Sequence, residues 1–230
     1  IKYNFTDTIS IRTMEDGQYS FNAKDITILS DISSAAFFIV GALINKESHI
    51  TLRNININPL RTGIIEVLKK MGASINIFNI KTLSNELVAD IEVKYSKLKS
   101  ISLNGEIISS LIDELPILFI ACALSSGIST IKGIEELRYK ESDRILSMQN
   151  GLEKIGINVT STNDSITIEG GKISGAEIDS FTDHRVAMAF AVCGLVSNES
   201  ITIKNTKNIA TSFPQFVDTL RDMGAQIFEI

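Results

Sequence analysis

The sequence predicts an α/β fold: one domain of three quasi-equivalent units, with buried helices filling its middle and sheets facing outward. Three observations predict it. A long apolar run led by an aspartate recurs three times, as DISSAAFFIVGALI from Asp31, DELPILFIACAL from Asp113 and DHRVAMAFAVCGL from Asp183. Each run is followed by a short β-rich stretch and then by an amphipathic segment ending near a glycine. The repeat recurs every 70–80 residues or so, roughly the length needed for several elements per unit.

The Asp-led runs carry almost no polar face, as helices buried on all sides must. The aspartates and serines before them suit N-caps, and Pro116 stands where a first helical turn tolerates proline. The β-rich stretches are HITLRNI, ISTIKGI and SITIKNT. The second helices, around EVLKKMGA, NGLEKIGI and DTLRDMGA, are one-sided. Their stripes are Ile64, Val67, Leu68 and Met71, then Ile145, Met148, Leu152 and Ile155, then Leu220 and Met223. Alternation in SINIF, INVTS and AQIFEI closes the units, and DIEVKYS and SITIEGG add a further strand to the first two. The units therefore follow an α-β-α-β-β order, of which the third lacks the last strand. Residues 1–29 fall outside the repeat, with strand-like DTISIRTM and QYSFNAK around a turn at Asp16-Gly17. The chain opens on Ile1, directly in strand-like sequence, as a fragment of something longer would.

Composition removes several function classes. Apolar residues make up 44% of the chain, which excludes disorder, and no apolar run approaches a membrane span. A formal net charge of -5 argues against a nucleic-acid surface, so any anion site must be local. Cys122 and Cys193 lie inside apolar runs and read as buried, reduced thiols. The two histidines, His49 and His184, are far apart, so no metal-ligand spacing exists and no metal or cofactor is expected. His49 has no companions and reads as surface. No signal peptide is visible, which makes the cytoplasm the default compartment.

The chemistry concentrates at helix mouths. LRYKESDR, Leu137 to Arg144, crowds Arg138, Lys140, Glu141, Asp143 and Arg144 at the head of the second unit's one-sided helix. Extending the apolar stripe back one turn from Ile145 lands on Glu141, at the core edge, where desolvation raises a carboxyl pKa and makes a proton donor. Lys140 and Arg144, at i and i+4, share a neighbouring face, and the helix N-terminus already favours anions. Two readings stand: a phosphate or carboxylate site, or an exposed i,i+4 salt-bridge network. In the third unit Asp183, His184 and Arg185 head a helix that is otherwise apolar, and an arginine there suits bidentate anion binding. His184 either donates to the same anion or caps the turn. Asp113 and Glu114 precede the second buried helix, where capping alone explains either. Arg61, in NPLRTG, is a weaker candidate.

Taken together, LRYKESDR and DHRVAM, with IDELP upstream and TSFP downstream, resemble the 5-enolpyruvylshikimate-3-phosphate synthases. NPLRTG followed by MGA is similar to bacterial members. The resemblance runs from about Gln18 to the C-terminus and implies an inside-out α/β barrel of βαβαββ-type repeats, half of a two-domain enzyme. Residues 30–230 then form the C-terminal domain, and residues 1–29 are linker and terminal strands belonging to the N-terminal one. The activity implied is transfer of the enolpyruvyl group of phosphoenolpyruvate to shikimate 3-phosphate. By resemblance, Asp113 helps deprotonate the shikimate hydroxyl, Lys140 holds that region and the leaving phosphate, and Glu141 serves the methylene proton. Arg144 and Arg185 clamp phosphoenolpyruvate beside His184. The implied partners are those two substrates and the N-terminal domain, with neither nucleic acid nor membrane, and the shared face is expected to be shallow and basic. Two departures stand out: Thr211 where many relatives carry lysine, and Glu136 where some carry asparagine. The alternatives are a UDP-N-acetylglucosamine enolpyruvyl transferase, of the same fold and chemistry, and a non-catalytic binding module.

Overall fold

Burial of three apolar helices against one another organises the molecule, whose computed structural model describes residues 25–229. The strand-like stretches expected within residues 1–24 lie outside the described part. In the first unit Ser30 bridges Ile55 in parallel, and α1 (Ile32–Ile44) connects it to β1 (His49–Asn56). Next come α2 (Gly63–Lys70), β2 (Ser74–Leu83) and β3 (Glu86–Lys94), giving a sheet ordered β1-β3-β2. The second unit runs β4 (Ser102–Leu103), α3 (Leu115–Ala123), β5 (Ile128–Lys132), α4 (Arg144–Lys154), β6 (Asn158–Ser161) and β7 (Ser165–Glu169), its sheet ordered β4-β5-β7-β6. The third runs β8 (Ala176–Asp179), α5 (His184–Gly194), β9 (Ile201–Lys204), the short α6 (Ile209–Ser212) and α7 (Phe216–Asp222).

Each unit thus opens with a parallel pairing that the α-β-α-β-β reading omitted, a single bridge at Ser30 in the first and the strands β4 and β8 in the others. Ser30, β4 and β8 pair in parallel with Ile55, β5 and β9 respectively, and a parallel pair needs a crossover, which the buried helix provides. The bridge at Ser30 and the two residues of β4 are too short to show alternation, so no periodicity announced them. The helices behave as expected. All nine residues of α3 are buried, as are eleven of the thirteen in α1, and α1, α3 and α5 pack on one another. The stripes Ile64, Val67, Leu68, Met71 and Ile145, Met148, Leu152, Ile155 are each fully buried.

Two expectations fail at the end of the chain. Met223 is exposed because α7 stops at Asp222 and leaves it at the C-cap, while Leu220 remains buried. The segment AQIFEI forms no strand over residues 225–229. Its counterparts β2 and β6 are paired by β3 and β7, and among the described residues nothing plays that part for the third unit.

Candidate active site

The N-termini of α1, α3 and α5 meet at one end of the domain, so their dipole-positive ends gather there. Asp31 caps α1 by accepting from the Ser34 amide at 3.1 Å. Asp183 caps α5 by accepting from the Arg185 amide at 2.9 Å and the Val186 amide at 3.3 Å. The second unit differs. Asp113 and Glu114 lie in a 3-10 turn before Pro116, and no side chain caps α3. Both carboxylates are left free for other contacts.

LRYKESDR divides into structural and site residues. A 3-10 turn covers Glu135–Tyr139, and α4 starts only at Arg144, with Asp143 as N-cap accepting from the Leu146 amide at 3.0 Å. Arg138 is a latch, bonded to Asp143 at 2.7 Å and to the carbonyl oxygens of Thr162 and Asn163. Lys140 and Glu141 therefore precede the helix, and the i,i+4 face expected for Lys140 and Arg144 does not exist. Aspartate at position 143 is the stronger cap, which ends the helix three residues short of Glu141. Glu141 is correspondingly half-exposed, its side chain 48% accessible, rather than desolvated at the core edge. Arg144 takes the buried position instead, at 1% exposure.

Around Arg144 the second and third units join. Its Nε donates to Asp183 Oδ2 at 2.8 Å and its Nη2 to Glu141 Oε2 at 2.5 Å. Its Nη1 lies 3.7 Å from Asp113 Oδ1, is buried and has no hydrogen-bond partner. Lys140 Nζ is also 3.7 Å from Asp113 Oδ1 and bonds Glu136 at 2.5 Å. Arg185 Nη1 donates to the Asp113 carbonyl oxygen at 2.9 Å, with Nη2 3.9 Å from Asp113 Oδ2. His184 Nδ1 lies 3.9 Å from Glu141 Oε1. Asp113, Lys140, Glu141, Arg144, His184 and Arg185 thus form one continuous cluster drawn from two units.

The face is not basic as expected: Asp113, Glu136, Glu141 and Asp183 interleave with the three cations. Burial works to raise the Asp183 pKa, but the Arg144 hydrogen bond and charge, with two backbone amides, bring it below the usual value. For His184, burial and the Arg185 charge outweigh Asp183 and Glu141, lowering its pKa and favouring the neutral ring. His184 therefore offers an N–H donor rather than a second positive charge.

Other residues fall away from the cluster. Arg61 is half-exposed, donating to Ser33 Oγ at 3.0 Å and lying 3.7 Å from Asp31. Thr211 is exposed in α6 with its hydroxyl on the Asn208 carbonyl oxygen at 2.7 Å. His49 is at the surface, yet has a companion, Glu92, at 2.8 Å. Cys122 and Cys193 are buried free thiols, each pushed up to about 12 by burial and so unreactive. Sequence reasoning treated Glu114 only as a cap. It is 2% exposed, with burial raising its pKa, and lies 4.0 Å from Arg185. No local signal separated it from Asp113.

Two arginines, a lysine and the carboxylates interleaved with them beside clustered helix N-termini can hold an anion while moving protons beside it. Residues 5–220 match the family model of EPSP synthase (3-phosphoshikimate 1-carboxyvinyltransferase). The chain belongs to the EPSP synthase family. It is 48% identical over 204 residues to the 3-phosphoshikimate 1-carboxyvinyltransferase of Legionella pneumophila (strain Lens), covering 89% of this chain and 47% of that relative. The Coxiella burnetii (strain CbuK_Q154) protein of the same name is 43% identical over 211 residues, covering 92% and 48%. The EPSP synthase structure from Acinetobacter baumannii superposes with a TM-score of 0.83 at 46% identity, over 86% of this chain and 46% of that one. The enolpyruvyl transferase NikO from Streptomyces tendae shares the fold, with a TM-score of 0.71 at 16% identity over 88% and 44%. The chain therefore has the α/β enolpyruvyl transferase fold and spans about half the length of the curated relatives it matches. Among the described residues no helix is long and apolar enough to cross a membrane, and no cluster of His, Cys, Asp and Glu is placed to hold a metal ion.

Proposed function

We propose that this chain supplies one wall of the active site of a 3-phosphoshikimate 1-carboxyvinyltransferase, the other wall coming from the half of its relatives that it does not span. Residues 30–230 are the catalytic domain and residues 1–29 its link to that other half, within a bacterial cytoplasmic enzyme. Asp113 accepts the proton of the attacking shikimate 3-phosphate hydroxyl, and Glu141 delivers a proton to the methylene carbon of phosphoenolpyruvate as the new C–O bond forms. Elimination then returns a methyl proton to Glu141 and breaks the C–O bond to phosphate, which leaves beside Lys140 carrying the proton that Asp113 had taken up. Arg144 and Arg185 hold the anionic groups of phosphoenolpyruvate, and neutral His184 donates a hydrogen bond next to them.

The observation that carries this reading is Arg144 Nη1, a buried guanidinium nitrogen without a partner, 3.7 Å from the Asp113 carboxylate. A buried charged donor left unpaired is unfavourable, and a bound anion would satisfy it next to a base. Without the other half, Asp113 and Glu141 keep much of their side chains in water, where each attraction is weaker. The test is phosphate release from the two substrates. The chain alone should release none, and adding the unmatched half of the Legionella relative should produce it. Glu141→Gln should abolish that activity with folding intact. Robust turnover by this chain alone would overturn the split-site reading. An unaffected Glu141→Gln variant would remove Glu141 from the chemistry.

A further inference from the structure

We propose that Glu114 is a positioning residue for the anion site, its carboxyl group governing how much of the Arg185 charge an incoming anion can use. The inference rests on the anion-site reading above and goes beyond it.

Glu114 sits where all three units meet. It ends the 3-10 turn Ile112–Glu114, it is 2% exposed, and its Oε1 has no hydrogen-bond partner. That oxygen lies 4.0 Å from Arg185 Nη1, whose bonded partner is the Asp113 carbonyl oxygen at 2.9 Å. The charged and polar groups facing Glu114 are Ser33 on α1, Arg185 on α5, Arg61 ahead of α2, and its own neighbour Asp113. Ser33, Arg185 and Arg61 favour the ionised form, whereas burial and Asp113 oppose it, and burial is the largest influence. A carboxyl group so placed has opposing influences on its charge and one oxygen, Oε1, without a hydrogen-bond partner.

This has a consequence for binding. Ionised Glu114 opposes an anion approaching Arg185 and draws off part of its field. Protonated Glu114 leaves the guanidinium charge to the ligand. Reciprocity then requires that an anion bound at Arg185 raise the Glu114 pKa, and that protonation of Glu114 tighten the anion by the same factor. A mutual effect of one pKa unit corresponds to about tenfold in affinity. His184, in the same cluster, responds to pH as well, with its pKa lowered from 6.5. The comparison must therefore be between wild type and a Glu114 variant, not between two pH values alone.

Sulfate is the suitable probe, because its charge is constant over the range in which carboxyl groups titrate. The 230-residue chain is titrated with sulfate by NMR, reading the Arg185 and His184 side-chain signals from neutral pH downward to the acid limit of folding. Glu114→Gln keeps the size and neutral character of the protonated acid. Wild type should bind sulfate about tenfold more tightly at the acid end. Glu114→Gln should bind at the acid-end affinity throughout, apart from any residual slope due to His184. Glu114→Asp, with a shortened ionisable group, should restore part of the pH dependence. Identical pH profiles for wild type and Glu114→Gln would overturn the proposal while leaving the anion site standing. No saturable sulfate response in wild type at any pH would instead overturn the anion site itself, and the inference with it.

Discussion

Arg144 Nε and Asp183 Oδ2 are 2.8 Å apart, both side chains essentially inaccessible, and they join the first turn of α4 to the cap of α5 across 39 residues of chain. This contact locks the second unit to the third at the point where the cluster forms. Asp183 serves two demands at once, capping its own helix with Oδ1 and pairing Arg144 with Oδ2. Replacing it with asparagine preserves the capping ability and removes the charge. The expected outcome is a loss of about 3–5 kcal/mol, because Arg144 is left buried without full compensation. Urea unfolding of the two proteins measures it, and equal midpoints would show that the pair contributes nothing.

The same pair sets an acid dependence. The Asp183 pKa is lowered on folding, so the unfolded chain takes up a proton first as pH falls. Its stabilisation is complete above the unfolded value near 3.8 and is lost as pH falls through the lower folded value. The stability gap between wild type and Asp183→Asn should therefore narrow only in that acid window. A gap that narrows near neutral pH would assign the effect to another group.

His184 should titrate below its ordinary value of 6.5, since burial and then Arg185 disfavour its charged form. With a folded pKa below the unfolded one, the unfolded chain binds the proton more readily, so His184 lowers stability as pH drops below 6.5. An NMR titration checks the midpoint. Arg185→Gln should move it upward, and a midpoint unmoved by that change would contradict the proximity of the two charges.

Directly ahead of the cluster, Phe181 and Thr182 both adopt left-handed backbone, with φ of 52° and 61°. A β-branched residue is strained there, and the conformation is held by the Asn208 side chain on the Thr182 carbonyl oxygen at 2.6 Å and by Asp179 Oδ1 on the Phe181 amide at 2.7 Å. Thr182→Gly should relieve the strain and stabilise the protein by about 1 kcal/mol, read as a raised thermal midpoint. A lowered midpoint would show that the Thr182 side chain contributes more than its backbone strain removes.

Helix packing supplies a prediction of opposite sign. A Cβ added at Gly151 of α4 would lie 2.2 Å from Phe190 Cζ on α5. Gly151→Ala should cost about 1–3 kcal/mol through overpacking, and Gly151→Ala with Phe190→Leu should recover part of it. An additive double mutant would show that the two helices do not meet at this point.

The central helices were legible because nothing competed with the signal. Nine consecutive buried residues in α3 have no polar side, as a helix packed on all its faces requires. The hairpin strands were legible through alternation. The leading strands β4 and β8 were not: β4 has two residues, too few to display a period, and the place of both comes from parallel pairing with β5 and β9. AQIFEI shows the converse: alternation marks a capacity to pair, which is realised only where a partner strand lies alongside.

For the site, the order of residues determined which groups would gather. Asp113, Lys140, Glu141, Arg144, His184 and Arg185 stand at the mouths of helices in repeated units, and repeated units bring equivalent ends together. What each group does there was decided by tertiary structure. Asp143 capped α4 and so put Glu141 in solvent and Arg144 in the core, reversing the burial that helical phase implied. Asp183 and Glu114 look alike in sequence as acids before buried helices, yet one is held by a guanidinium and the other has an oxygen with no partner. Charge and hydrogen-bond state depend on what lies within a few ångströms, and here those neighbours come from distant parts of the chain.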